Sequence, residues 1–399
     1  MLRFTARWMG LSVRGFSLAM LLVLSIAIPN LSPRRGFAGD ERSQSPTREA
    51  VKPKKAKAER PPFDLTYVPP YATGVIAVRP NAIFRDPAMK PLACMANQSP
   101  LVGMMLLPYI PFADLKLPVQ EIEQVVLYTM ATPDTKNASG FGFATVMIRT
   151  THDFDWLKQM QHIDPETKQL HWGNQVYYRS HQKLGKKGIF SDLTISPKAT
   201  FLYIIPDKRS LVLIPSPSVL RAFRAAETTR SLHFSWDKEW KHVEKCLIAW
   251  AADNRSGRAV SSNQFGDGPF PEWSMLTRKT TTMVAGLDWK DGIDLRAYLT
   301  GKDQSVRDQI VRDIKAMLAN WPRDLDEASQ ELPEDKDLSK QARQEAAFEL
   351  QLYNDLYKHA SVTRRENTVC VHTMARLSIS DLAKHFLCQW EGPVQGKKP

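Results

Sequence analysis

The sequence predicts an α+β fold of two possibly related halves, each with antiparallel β-hairpins packed against helices. Three observations predict it. Apolar residues alternate along Thr281 to Trp289 and Ile293 to Thr300, on either side of an Asp291-Gly292 turn, which is the pattern of a hairpin with a buried face. Val306, Ile310, Ile314, Met317 and Trp321 then repeat at helical spacing, a single apolar stripe directed at that face. The order strand, turn, strand, helix also occurs twice: Thr150-Thr151-His152-Asp153 leads into one helix and Thr300-Gly301-Lys302-Asp303 into another, and each half closes on a strand, a Ser and a short helix (VLIPSPSVLRAF and VCVHTMARLSISDLAKHF). A recurring order of this kind reads as a diverged duplication, with halves at 63–230 and 231–390 and a disordered tail at 391–399.

The amino terminus reads as an export signal. Arg3, Arg7 and Arg14 precede an uncharged run of thirteen residues from Phe16 to Ile28, the charged and apolar parts of a secretory signal. As a helix the run reaches about 20 Å, short of a bilayer core of roughly 30 Å. Gly36-Phe37-Ala38 supplies small residues for cleavage before Gly39, so residues 1–38 are expected to be removed. Arg34 and Arg35 oppose translocation and leave open the alternative of a retained anchor, in which case membrane contact runs through residues 1–38. The first cysteine is Cys94, so a lipid anchor at the cleavage point is not expected. Residues 39–62, rich in Pro and Lys with no aromatic side chain, read as a disordered charged linker.

Charge excludes a class of partner. The formal charge is +12, but residues 1–39 hold five arginines and no acid and residues 40–62 hold seven basic against four acidic residues, leaving +4 from Phe63 onward. A folded part so weakly charged makes no electrostatic case for nucleic acid. Lys52, Lys54, Lys55 and Lys57 lie in the linker, where a short basic run reads as solvated. Cys94, Cys246, Cys370 and Cys388 would meet an oxidising compartment, where they are either paired or buried thiols.

Within the first half, Gly74 to Val78 reads as a strand, as do Glu121 to Ala131 and Phe141 to Thr150. Asp153 is expected to cap a helix reaching His162. Gly173-Asn174 closes a hairpin between Leu170-Trp172 and Val176-Tyr178, and Pro206 to Arg209 turns Phe201–Ile205 into Leu211–Ile214. Ser216 then caps a helix carrying Val219, Leu220 and Phe223.

In the second half, Trp236, Trp240, Val243, Leu247 and Trp250 repeat at alternating spacings of four and three, which predicts a helix after Ser235. Residues 251–271 read as a Gly- and Pro-bearing loop, a candidate flap. After the hairpin come a helix from Gln304 to Trp321, an acidic stretch from Asp324 to Asp337, a helix from Leu338 to Ala360, a strand from Thr368 to Met374 and a helix capped by Ser380.

The exported start, the charged spacer and the segment FDLTYVPPYATGVIAVRPNAIFRDPAMKPL together resemble a family of uncharacterised exported bacterial proteins with a signal peptide, a charged spacer and an α+β folded region. About thirty residues carry the resemblance. It implies export and the α+β reading, and it carries over no activity and no site residues.

Few residues form a chemical motif. Ser235-Trp236-Asp237-Lys238 has the Ser-x-x-Lys spacing that sets an amine one helical turn from a hydroxyl, yet SDN and KTG partners are missing and Ser235 is expected to serve as a helix cap. His372 and His385 lie near Cys370 and Cys388 without ligand spacing, so they read as core residues. Gly140, Gly142 and Gly185 lack the pattern of a phosphate cradle. Trp172, Tyr177, Tyr178 and Trp273 are candidate binding aromatics that also read as ordinary core.

No catalytic, cofactor-binding or metal-binding residue is therefore assigned, and no cofactor. The reading is an exported, non-enzymatic protein of the periplasm or cell envelope that acts by binding an envelope protein or polymer. The alternatives are an extracytoplasmic hydrolase whose site assembles only in space, and a membrane-anchored accessory or sensor subunit.

Overall fold

A computed structural model describes residues 60–69, 72–98, 117–130, 145–173, 175–179, 202–214, 220, 234–255, 279–289, 292–334, 340–378 and 380–383. The fold is mixed α and β and strand-rich. Its strands are β1 (Ala72–Val78), β2 (Ile122–Met130), β3 (Thr145–Thr150), β4 (Lys168–Trp172), β5 (Gln175–Arg179), β6 (Leu202–Asp207), β7 (Ser210–Ile214), β8 (Ile248–Asp253), β9 (Thr280–Trp289), β10 (Ile293–Gly301), β11 (Ser361–Arg365) and β12 (Thr368–Ala375). All lie in one antiparallel sheet, in the order β11-β12-β10-β9-β8-β1-β2-β3-β7-β6-β5-β4. Read outwards from the central β1–β8 pair, one side runs β1-β2-β3-β7-β6 and the other β8-β9-β10-β12-β11, and the first side adds β5 and β4.

The register puts residues of one face in line across the strands. One cross-strand row passes Thr363, Cys370, Tyr298, Val284, Ala251, Val75, Tyr128 and Thr145. Because side chains alternate between the faces of a sheet, this row and its even-spaced neighbours define one face, and the intervening residues define the other.

The second face lies under helices. They are α1 (Pro80–Phe84), α2 (Lys90–Gln98), α3 (Trp156–Ile163), α4 (Asp237–Trp240), α5 (Gln304–Glu334) and α6 (Lys340–Lys358), of which α4 belongs to the other face. Trp156 and Met160 of α3 pack on Val125, Leu127, Val146 and Ile148. Ile310 and Ile314 of α5 pack on Trp250, Met283, Ala285, Ala297 and Leu299. Leu352, Tyr353 and Leu356 of α6 pack on Leu287, Ile293 and Leu295. These strands are therefore apolar on their helical face, and several are apolar on both. No described helix is long and apolar enough to cross a membrane.

Several sequence expectations are corrected here. The helix expected after Ser235 is only the four residues of α4, and Trp250 sits on β8. Its stripe was false because Trp236, Trp240 and Val243 pack on one sheet face while Trp250 packs on the other. Ala251 to Asp253, expected to open a loop, continue β8. Asp155 rather than Asp153 caps α3, accepting the Lys158 N–H at 3.1 Å. The long helix α5 runs on past Trp321 to Glu334, through Pro322. Ser378 rather than Ser380 caps the helix at 380–383, its Oγ accepting the Asp381 N–H at 3.1 Å while donating to the Asp381 carboxylate at 2.5 Å. The turn between β6 and β7 is tighter than expected, with Asp207 paired to Ser210.

The turns at Gly173 and Gly292 stand where the sequence put them. Gly173 has φ 61° and Gly292 φ 147°, and a Cβ at Gly292 would lie 2.2 Å from the Ala375 carbonyl oxygen, so side chains are excluded there by conformation and by space. The export signal, the linker up to residue 59, the helix after Ser216 other than buried Leu220, residues 256–271 of the expected flap, His385, Cys388, Trp273, the glycines 140, 142 and 185 and the tail lie outside the described residues.

Candidate binding shelf

Two short segments cover the middle of the face opposite the helices. The first is a strap, residues 60–68, which crosses the central strands. Phe63 N–H donates to the Glu244 carbonyl at 2.9 Å, and the Gln124 side chain, buried on β2, accepts from the Asp64 N–H and donates to the Asp64 carbonyl, both at 3.0 Å. Arg149 holds the Asp64 carboxylate at 3.1 Å. Residues 60–62, expected to belong to a disordered linker, are thus seated on the sheet.

Arg79 fastens this strap. It is 4 % exposed, and its guanidinium donates to the carbonyls of Cys246 (3.1 Å), Pro61 (2.6 Å) and Glu244 (3.0 Å) while lying 3.9 Å over the Phe63 ring. Burial, reinforced by Arg60, pulls its pKa down to about 10.

The second segment, residues 234–246, lays Trp236, Trp240, Val243 and Cys246 on β8 and β9. It fits there because β9 offers Gly286, where a Cβ would fall 2.7 Å from Val243 Cγ1 and 2.8 Å from Cys246 Sγ. Glu239 ties the segment to the outer strands: buried, it accepts from Thr368 Oγ1 at 2.8 Å and Thr300 Oγ1 at 3.4 Å.

Beyond that segment, among the described residues, the face opens at Arg296, His372, Met374, Ser361 and Thr363, while Asp294, Tyr298, Cys370 and Thr368 stay buried. Three rows cross it: Asp288, Asp294 and Met374; Gly286, Arg296, His372 and Ser361; Val284, Tyr298, Cys370 and Thr363. Asp288 and Asp294 stand directly opposite one another, an arrangement that repels unless cations intervene. Arg60 of the strap reaches Asp288 at 2.5 Å, and Asp294 accepts from Arg296 at 2.6 Å and lies 3.0 Å from His372 Nε2. Burial pushes the Asp294 carboxyl up, but the Arg296 bonds and the His372 ring outweigh it and hold the carboxyl below its ordinary value. The same contact holds the Arg296 guanidinium above its own.

Arg296 and His372 keep 37 % and 40 % of their side-chain surface exposed, and Met374 is 39 % exposed. His242 stacks on Tyr298 with ring centroids 4.9 Å apart, and burial with the neighbouring Cys370 pushes the Tyr298 hydroxyl up to about 12. The area is a shelf: a charged and hydroxylated floor, an aromatic pair at its inner margin and the edge strand β11 at its outer one. Its chemistry is recognition by hydrogen bonds and charge.

Residues singled out in the sequence fall elsewhere or into supporting places. Ser235 Oγ is buried and faces the Asp253 carboxylate without a hydrogen bond of normal geometry, whereas Lys238 is exposed and points 3.7 Å from Glu366. The Ser-x-x-Lys spacing therefore does not bring hydroxyl and amine together. Nor does Ser235 cap α4; the Asp237 carboxylate accepts the Phe234 N–H at 3.0 Å. Cys246 and Cys370 are buried thiols and Cys94 is exposed, and burial with help from Asp288 pushes the Cys246 thiol up to about 11. His372 belongs to the shelf rather than the core. Tyr178 stacks on Tyr203 at 5.2 Å, and Tyr177 packs on the central cluster. Among the described residues no three or more His, Cys, Asp or Glu gather as metal ligands.

Arg60, Asp288, Asp294 and Arg296 were not singled out. The only signal available was the placement of Asp288, Asp294 and Arg296 on one face of an otherwise apolar hairpin, since a charged residue among core-facing positions is unusual.

No protein-family model matches the chain, and no curated protein matches it. Among solved structures, crystal form I of TP0453 is similar over 83 % of this chain and 98 % of its own, at 10 % identity and a TM-score of 0.38.

Proposed function

We propose that this is an exported, non-enzymatic protein of the periplasm or cell envelope, built of two related halves, that works by binding a partner through the β10–β12–β11 shelf. The observation that carries the reading is the contrast along one face. The strap and residues 234–246 cover its centre with Phe63, Trp236, Trp240 and Val243, while Arg296, His372 and Met374 stay at the surface beside them. A charged, partly apolar area left open next to a sealed one is what a recognition surface requires.

The mirrored strand order supports the relation between halves. In each, three meandering strands are followed by a helix, and a later hairpin returns its second strand to the third: β7 to β3, β12 to β10. Export rests on the cationic head and apolar run of residues 1–28, and Edman sequencing of the mature protein should begin at Gly39.

The test of the binding reading is to immobilise the exported chain and measure retention of a detergent-free envelope fraction against an Arg296→Glu, His372→Glu double variant. Retention lost in the variant, with unchanged circular dichroism, supports the shelf. Equal retention by both proteins sinks it.

A further inference from the structure

Among the described residues, β11 (Ser361–Arg365) ends the sheet on the shelf side and pairs with β12 alone. All its residues but Val362 are exposed. In an antiparallel edge strand, alternate residues turn their N–H and C=O groups outward, so this edge offers a backbone template to any further strand. Ser361, Thr363 and Arg365 share the shelf face, because their partners His372, Cys370 and Thr368 do. On the other face Val362 packs on the helical cluster and Arg364 donates to Asp308 at 2.6 Å. Arg365 has no carboxylate partner among the described residues.

Three occupants suit an open edge unequally. A second copy of β11 would bring another Arg365 to a strand that already carries one without a carboxylate, against charge, Arg364 being held by Asp308. A non-peptide polyanion would meet the arginines and leave the outward backbone groups unmatched. An extended acidic segment answers both demands, with backbone bonds along the edge and a carboxylate beside Arg365 on the shelf face.

We propose that β11 accepts an extended acidic segment of a partner protein by strand addition. The proposal rests on the reading of the chain as a binding protein and names the partner's chemistry.

The experiment uses the full exported chain and fluorescein-labelled octapeptides in anisotropy titrations. One peptide alternates Glu with Val, a second replaces Glu with Lys, and a third keeps Glu but carries N-methyl groups on alternate backbone nitrogens. Inorganic polyphosphate competes as a polyanion without a peptide backbone. The acidic peptide is expected to bind, and the Lys peptide to bind at least about tenfold more weakly. N-methylation should weaken binding by at least about tenfold, since it blocks the edge bonds, and Arg365→Glu should remove the preference for the Glu peptide over the Lys peptide. No binding of the acidic peptide, or equal binding of its N-methylated form with full displacement by polyphosphate, overturns strand addition. If that happens while envelope retention still depends on Arg296 and His372, only this inference falls; if retention is independent of them as well, the binding reading falls with it.

Discussion

Replacing Arg79 by Met removes the clamp that fastens the strap to the sheet. The methionine keeps most of the apolar stem, so the loss is that of the guanidinium. Its three bonds go to the carbonyls of Cys246, Pro61 and Glu244, and a hydrogen bond from a charged donor contributes about 1.5–3 kcal/mol, so together they amount to roughly 5–9 kcal/mol. Against this stands the burial of the cation. A guanidinium held at about 10 instead of 12.5 is destabilised in the fold by roughly 3 kcal/mol. The net loss expected for Arg79→Met is therefore about 2–6 kcal/mol, a range that includes the value for removing one side of a buried charged contact. Urea unfolding followed by tryptophan fluorescence measures it, and limited proteolysis reports on the strap, which should become cleavable between residues 60 and 68. Arg79→Lys, able to reach fewer carbonyls, should fall between the two. A loss below about 1 kcal/mol with the strap still protected would refute the clamp.

Gly286→Ala should destabilise by about 1–2 kcal/mol, because the overpacking against Val243 and Cys246 exceeds the small gain of placing Ala in a strand; an unchanged urea midpoint would mean that residues 234–246 do not rest on β9. Asp294, held below 3.8 by Arg296 and His372 despite its burial, contributes stability that is complete above pH 3.8 and is lost as the pH falls towards its lower folded value. Asp294→Asn should accordingly be less stable near neutrality and show a shallower acid limb in a thermal-denaturation pH series, and a limb identical to the parent would contradict the pairing. Cys246, whose thiol is pushed up to about 11, should resist iodoacetamide in the native protein while exposed Cys94 is alkylated, as read by peptide mass spectrometry; rapid native labelling of Cys246 would argue against its cover.

Where a residue's surroundings are set by its near neighbours, the sequence was readable. The hairpin of β9 and β10 was visible because an Asp-Gly turn and a strict alternation specify each other, and the register that results pairs Trp289 with Ile293. The segment after Ser235 was misread because tryptophans spaced like a helical stripe serve two different faces of the sheet, a tertiary fact that spacing does not carry. β11 was missed altogether: an exposed edge strand reading Ser-Val-Thr-Arg-Arg has no apolar alternation, and only its pairing to β12 makes it a strand. The shelf was half legible. The alternation placed Asp288, Asp294 and Arg296 on one face, yet the meeting of Asp288 with Arg60, 228 residues distant in sequence, depends on a strap whose composition reads as solvated linker.

The position of the shelf follows from where cover ends. Residues 234–246 are tied at one end to β8, which they enter directly, and at the other to the outer strands through Glu239 and the hydroxyls of Thr300 and Thr368. With only a single turn of helix, α4, the segment reaches β10 through the His242–Tyr298 stack and touches β12 only at its Thr368 end. Positions beyond that limit cannot all be apolar without exposing a large hydrophobic patch, and most carry residues of an exposed surface: Arg296, His372, Ser361, Thr363 and Arg365. The paired carboxylates of Asp288 and Asp294 sit at the boundary, tolerated because the strap delivers Arg60 from one side and the open strands deliver Arg296 and His372 from the other. Strap, cover and shelf are thus one arrangement, in which loosening the strap at Arg79 should also unbalance the charges that hold the shelf in order.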